Sequence, residues 1–220
     1  MSHSPDAIVN REYRVNIGNY FSNGWDLFKQ YAVPFVGYFV LTMLIAGALS
    51  VLPYPLGIDF SEERRGGGIV ANILSPVLSA GMFIVAFKLE KGQSVTFSDF
   101  FRGFNNFLQI FLVNLVAGLL TAIGILLLII PGVYLAVSYF FAMPMVIEKR
   151  FDFWTALETS RKLVTKQWFS IFGFSLLVGL LNVAGALLCG VGLLVTVPWS
   201  ICTIVSAYTD IVGLNGSAQD

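Results

Sequence analysis

The chain has 220 residues, 56% of them hydrophobic and 12% charged, with mean hydropathy +0.78 and a formal net charge of zero. Soluble domains run at about 45–50% apolar and about 25% charged, so this composition excludes an ordinary soluble protein and reads as an integral membrane protein. Zero net charge gives no case for nucleic acid, and the two cysteines, Cys189 and Cys202, both lie in apolar sequence, which suggests neither a disulfide framework nor a metal site.

In chain order, residues 1–13 read as a mobile tail carrying the sole histidine, His3. No charged segment followed by a short apolar core opens the chain, so a cleaved signal peptide is not expected. Ile17, Phe21, Phe28 and Tyr31, with Gly24 in the same stripe, predict an amphipathic helix before the first span. Six apolar helices follow, over about Tyr31–Leu52, Gly68–Phe87, Phe107–Ile130, Gly132–Ile147, Trp168–Leu188 and Leu193–Val212. Two further amphipathic segments intervene. "TFSDFFRGFNNFL" spaces Phe97, Phe100, Phe101, Phe104 and Leu108 by three and four, with Thr96 and Asp99 as a helix start. "DFWTALETSRKLVTKQW" puts Phe153, Leu157, Val164 and Trp168 on one stripe and Thr155, Glu158, Lys162 and Lys166 opposite. Short, aromatic-rich helices of this kind lie in the bilayer interface.

No charged residue occurs between Arg102 and Glu148, a run of 45 residues. As one helix it would extend roughly 68 Å, about twice the hydrocarbon thickness, so it must reverse. Pro131-Gly132 is a good place for the turn, since proline suits a first helical turn and glycine accepts unusual backbone angles. A boundary nearer Gly124 also fits by length.

Of the 13 Lys and Arg, 11 fall in segments on one side of the six spans, leaving only Arg64 and Arg65 on the other. The positive-inside rule then puts both termini in the cytoplasm. "IFLVNLVAGLLTAIGILL" from Ile110 and "IFGFSLLVGLLNVAGALL" from Ile171 align at an offset of 61, with nine of 18 positions identical, and the offset carries Pro131 onto Gly192, at the turn between the last two spans. The predicted fold is therefore all-α: six transmembrane helices as three parallel hairpin units, about 14–88, 96–148 and 152–213, each opening with a cytoplasmic interfacial helix. They form one membrane domain, 14–213, followed by a tail, 214–220.

The stretch "IIPGVYLAVSYFFAMPMVIEKRFDFWTALETSRKLV" resembles the YciC-like family of bacterial inner-membrane proteins and is similar to the membrane domain attached to some glycerophosphodiester phosphodiesterases. The residues that carry the resemblance are Ile130-Pro131-Gly132, Pro144, Ala156-Leu157 and Ser160-Arg161. It implies a polytopic protein of the bacterial inner membrane and supplies no catalytic residues, because the phosphodiesterase chemistry belongs to a separate soluble domain.

The spans carry little that titrates. Asp210, near the end of the last, reads as an interface residue, and pumps generally keep buried ionisable groups along a pathway. No catalytic triad, Cys/His pair or metal-ligand cluster is present, so neither an enzyme nor a cofactor is expected. Asn114, Thr121 and Asn182 are the candidate intramembrane polar residues, either bonding neighbouring helices or lining a pathway. Arg161, Lys162 and Lys166 are candidates for anionic lipid headgroups, or serve only topology. The leading reading is a non-enzymatic membrane protein that organises lipid or a membrane partner, a second copy included, through its interfacial helices. The alternative is a transporter or permease for a lipid or small neutral solute.

Overall fold

The computed structural model describes residues 4–51, 66–188 and 190–214, with side chains for 4–48, 74–188 and 190–214. The segment bearing Asp59, Glu62, Glu63, Arg64 and Arg65 lies outside the described residues, as do His3, Cys189 and the side chain of Asn72. Among the described residues the chain is all-helical. Its order is α1 (Pro5–Asn10), α2 (Ile17–Gln30), α3 (Ala32–Val51), α4 (Gly66–Glu90), a 3-10 helix (Phe97–Asn106), α5 (Phe107–Leu127), α6 (Ile129–Ser138), α7 (Ala142–Lys149), α8 (Phe153–Thr165), α9 (Trp168–Leu187) and α10 (Leu193–Val212).

Four of the described helical stretches are long and apolar enough to cross a membrane: Phe97–Leu127, Ile129–Lys149, Trp168–Leu187 and Leu193–Val212. Helices α2 and α3 meet at 86° and make a fifth if counted as one span. Leu108, Leu115, Leu119 and Leu126 on α5, and Leu176, Leu180, Val183 and Leu187 on α9, all face outward. Water does not tolerate such contiguous apolar surface on a monomer; hydrocarbon does, because every backbone group within a helix is already bonded.

Helix α10 is the centre. Cys202, Val205, Ala207, Tyr208 and Ile211 are wholly inaccessible, and α10 packs against α2, α3, α4 and α9. Of the predicted stripe of α2, Gly24 and Phe28 are buried and Ile17, Phe21 and Tyr31 are half-buried; Tyr20 and Leu27, outside it, are buried as well, and this face lies on protein. A Cβ at Gly24 would stand 2.5 Å from Thr203 Cα, so only glycine lets the two backbones approach this closely. Trp199 stacks edge-on against Phe21 and Trp25 and donates its indole N–H to the Phe21 carbonyl at 3.3 Å.

The second aromatic segment is a 3-10 helix, and its start is as expected: the Thr96 amide donates to Asp99 Oδ2 at 2.8 Å. Its aromatic residues do not share one fate. Phe100 is buried and stacks on Tyr38 at 4.4 Å, whereas Phe97, Phe101 and Phe104 stay exposed. The buried Asp99 carboxylate also takes Lys88 at 2.7 Å and Arg102 at 2.9 Å, pinning this helix to the end of α4.

The reversal in the long apolar run corrects the predicted turn. Helix α5 ends at Leu127 and α6 begins at Ile129, so Leu128 alone, with φ −160° and ψ 137°, turns the chain. Pro131 stands in the first turn of α6, where its missing amide costs nothing. Gly132 is the close-packing point, since a Cβ on Gly124 would lie 2.9 Å from Gly132 Cα. Gly185 meets Gly192 in the same manner where α9 gives way to α10.

The predicted fourth span is one stretch in two pieces, α6 and α7, interrupted at Tyr139–Phe141. Pro144 has no amide to give the Phe140 carbonyl, and its ring crowds that carbonyl, which breaks a helix. Ser160 of α8 repairs the gap: its Oγ accepts from the Phe141 amide at 3.2 Å and donates to the Ser138 carbonyl at 2.7 Å. The N-terminal tail is also corrected. Residues 5–10 form α1, Ile8 is buried, and α1 packs on α8.

Candidate functional site

Helix α8 starts where the sequence places it, capped by Asp152, whose Oδ2 accepts from the Thr155 amide at 3.0 Å. Hydrogen bonds from Thr155 hold the Asp152 carboxyl below the usual carboxylate range. The three basic candidates, Arg161 and Lys162 on α8 and Lys166 just past it, do not act as a group. Arg161 closes a bidentate fork on Glu158, Nε to Oε2 at 2.9 Å and Nη2 to Oε1 at 2.8 Å, and Lys162 shares that carboxylate at 3.4 Å. Lys166, one turn on, reaches the Arg11 carbonyl at 3.4 Å.

The intramembrane polar candidates also separate. Asn114 donates to the Ile110 carbonyl of its own helix at 2.8 Å. Asn182 donates to the Val178 carbonyl at 3.0 Å and to Ser200 Oγ at 2.8 Å, tying α9 to α10. Thr121, half-buried, makes no hydrogen bond to either of them. A cavity does occur among α3, α4 and α10, about 180 Å³, with Thr42, Ser75 and Ser79 in a mainly apolar wall.

Polar groups converge instead at the end of the bundle where Ser4 and Leu214, the first and last described residues, lie. Residues 11–16 run across it as a strap. Tyr13 Oη donates to the Leu163 carbonyl at 2.9 Å, the Gln167 amide donates to the Tyr13 carbonyl, and Tyr20 Oη is 3.2 Å from the Arg14 carbonyl. Burial pushes the Tyr13 phenol up to about 12. The Arg11 guanidinium lies over Gly213, the residue with φ 84° that ends α10; a Cβ there would be 2.8 Å from Nη1. Tyr20 Oη also donates to Asp210 Oδ2 at 2.7 Å.

Two open clefts flank the strap. One, about 640 Å³, is lined by residues 11–14 together with Lys166 and Gln167. The other, about 570 Å³, lies between the strap, α2 and the ends of α4 and α10. Its walls carry Arg11, Glu12, Arg14, Glu90 and Asp210, with Asn16, Asn19, Asn23, Ser206 and Thr209 among its neutral polar residues. Burial raises the Glu90 carboxyl above the usual range. The sequence reading counted Arg11 and Arg14 only as topological charges and did not single out Glu90. No periodicity in sequence joins positions 11, 90 and 210, so only the fold brings them together.

The fold defines a class, an all-helical protein with several helices long and apolar enough to cross a membrane. The chain matches no family model, no curated protein and no solved structure.

Proposed function

We propose that the chain is a non-enzymatic, six-span protein of the bacterial inner membrane, with both termini cytoplasmic, that organises anionic lipid at its cytoplasmic face. The carrying observation is the cleft between the strap and α8, where Arg11, Arg14 and Lys166 line one open space of about 640 Å³. Basic groups at headgroup depth attract anionic lipid by about 1 kcal/mol each, and arginine presents a fork that matches a phosphate.

In this reading α3 and α4 form the first hairpin, α5 with α6–α7 the second, and α9–α10 the third. The internal repeat is supported by matched burial: Ile110 and Ile171, Val113 and Phe174, and Gly124 and Gly185, each pair 61 apart, are all buried. The short helices lie against the longer ones, α2 along α10 from Asp210 to Trp199, the 3-10 helix on α4 and α8 on α7, while the basic side chains of the cleft stand on the strap and just past α8. A permease using the repeat interfaces has less support, because Asn114 and Asn182 already bond within the bundle.

The test is lipid retention. Wild type and an Arg11→Gln, Arg14→Gln, Lys166→Gln variant, purified in mild detergent, are compared by native mass spectrometry. The triple variant should lose most of its bound phosphatidylglycerol; equal retention would remove the lipid-organising role.

A further inference from the structure

The second cleft has a different character. Arg11 and Arg14 stand on its strap wall, Glu90 and Asp210 on its span wall, and Glu12 at the strap as well. Among the described residues none of these five makes a salt bridge, although opposite charges line the same space. Elsewhere in the protein, acids and bases of this end do pair: Lys88 with Asp99, Lys91 with Glu148, Arg161 with Glu158. The cleft is therefore a place where both signs are held apart within one volume of about 570 Å³, inside the range of about 300–1,000 Å³ usual for small-molecule sites.

A pure anion would meet three carboxylates there, and a pure cation two guanidinium groups. A ligand carrying both signs on a short linker satisfies both walls. We propose that this cleft binds a phosphoethanolamine group, with its phosphate on Arg11 and Arg14 and its primary ammonium on Glu90 and Asp210. Guanidinium forks suit phosphate oxygens. The amine must be primary, because a carboxylate wall is best used by a group with three N–H donors, which a quaternary ammonium lacks. Tyr20 orients one acceptor, holding Asp210 Oδ2 at 2.7 Å. The source is either the headgroup of phosphatidylethanolamine or a soluble phosphoethanolamine ester, and the chemistry is common to both. The inference rests on the lipid-face reading only for placing this cleft at headgroup depth.

The experiment uses the full chain in mild detergent, titrated with short-chain phosphatidylethanolamine, phosphatidylcholine and phosphatidylglycerol and, separately, with glycerophosphoethanolamine, followed by native mass spectrometry and calorimetry. Wild type should prefer the ethanolamine lipid to the choline lipid. The isosteric variant Glu90→Gln, Asp210→Asn should weaken ethanolamine-lipid binding roughly tenfold or more, the effect of losing hydrogen bonds to charged groups. Binding of glycerophosphoethanolamine comparable to that of the lipid would support a soluble source, and binding of the lipid alone a headgroup source. Equal affinity of wild type for the ethanolamine and choline lipids overturns the proposal, and that comparison needs no variant to fold. Unchanged ethanolamine preference in the double variant overturns it as well. Lys166→Gln separates the two readings: lowered phosphatidylglycerol retention with ethanolamine preference intact supports both. Intact retention of both lipids removes the anionic-lipid reading alone.

Discussion

Ser160→Ala tests how the broken span is held. Ser160 is fully buried on α8, and its one hydroxyl bonds both sides of the α6–α7 break, the Phe141 amide at 3.2 Å and the Ser138 carbonyl at 2.7 Å. Removing it deletes two hydrogen bonds worth about 1 kcal/mol each, and stranding a buried backbone group costs about 1–3 kcal/mol. A loss of about 2–4 kcal/mol follows, large against a typical total of about 5–15 kcal/mol. At about 2–4 °C per kcal/mol for a chain of this size, thermal unfolding in detergent should fall by roughly 5–15 °C. The break exists because Pro144 has no amide for the Phe140 carbonyl. Pro144→Ala supplies that amide, so the double variant should lose less than the sum of the two single losses. If Ser160→Ala stays within about 0.5 kcal/mol of wild type, as a surface substitution would, the hydroxyl is not the stitch.

Gly24→Val should destabilise strongly, by at least the roughly 1–3 kcal/mol typical of overpacking, because backbone stands 2.5 Å from the new Cβ. Gly118→Ala and Gly179→Ala, with nothing within 4 Å, should be neutral or gain up to about 1 kcal/mol of helix propensity; thermal unfolding reads all three. With Cys189 and Cys202 replaced by serine, a membrane-impermeant thiol reagent on intact cells should label cysteine at Leu128 and at Gly66 but not at Lys162, and the reverse pattern would invert the orientation. The lowered Asp152 carboxyl gives a stability contribution that is fully present above its ordinary value of 3.8 and is lost as pH falls through its lower folded value. Asp152→Asn should flatten that acid limb in an unfolding titration while keeping the cap.

Much of the helical framework was legible because apolar runs and their breaks are local signals. Phe107 and Trp168, the first residues of α5 and α9, were read correctly from composition, and so was the Thr96–Asp99 start. The turn was misplaced because Pro131-Gly132 carries two turn signals at once, while what settles the geometry is the contact between Gly124 and Gly132, eight residues apart. The break at Tyr139–Phe141 was legible only as Pro144 interrupting the fourth span. Proline kinks many membrane helices, and only the arrival of Ser160 shows that the Phe141 amide and the Ser138 carbonyl are bonded across the break. The candidate clefts were the least legible part. Arg11, Glu90 and Asp210 come from three distant segments, and each alone looks like an ordinary charge at the end of a helix.

The short helices show why amphipathicity alone could not say what they touch. A stripe of aromatic residues fits a bilayer interface and a protein groove equally well by polarity. What separates the two is the presence of glycine within the stripe. Lipid does not require a missing side chain, whereas a backbone does: Gly24 sits in the stripe of α2 because Thr203 of α10 lies directly against it. Helix α8 replaces glycine with small residues at its contact, Ala156 and Ser160, both wholly buried. The aromatic stripe of the 3-10 helix is divided accordingly, with Phe100 turned into protein and Phe97, Phe101 and Phe104 left at the rim. Docked in this way, the short helices hold fixed positions against the longer ones. Fixed positions are what a site needs if Arg11 and Arg14 are to face Glu90 and Asp210 across a cleft without collapsing onto them.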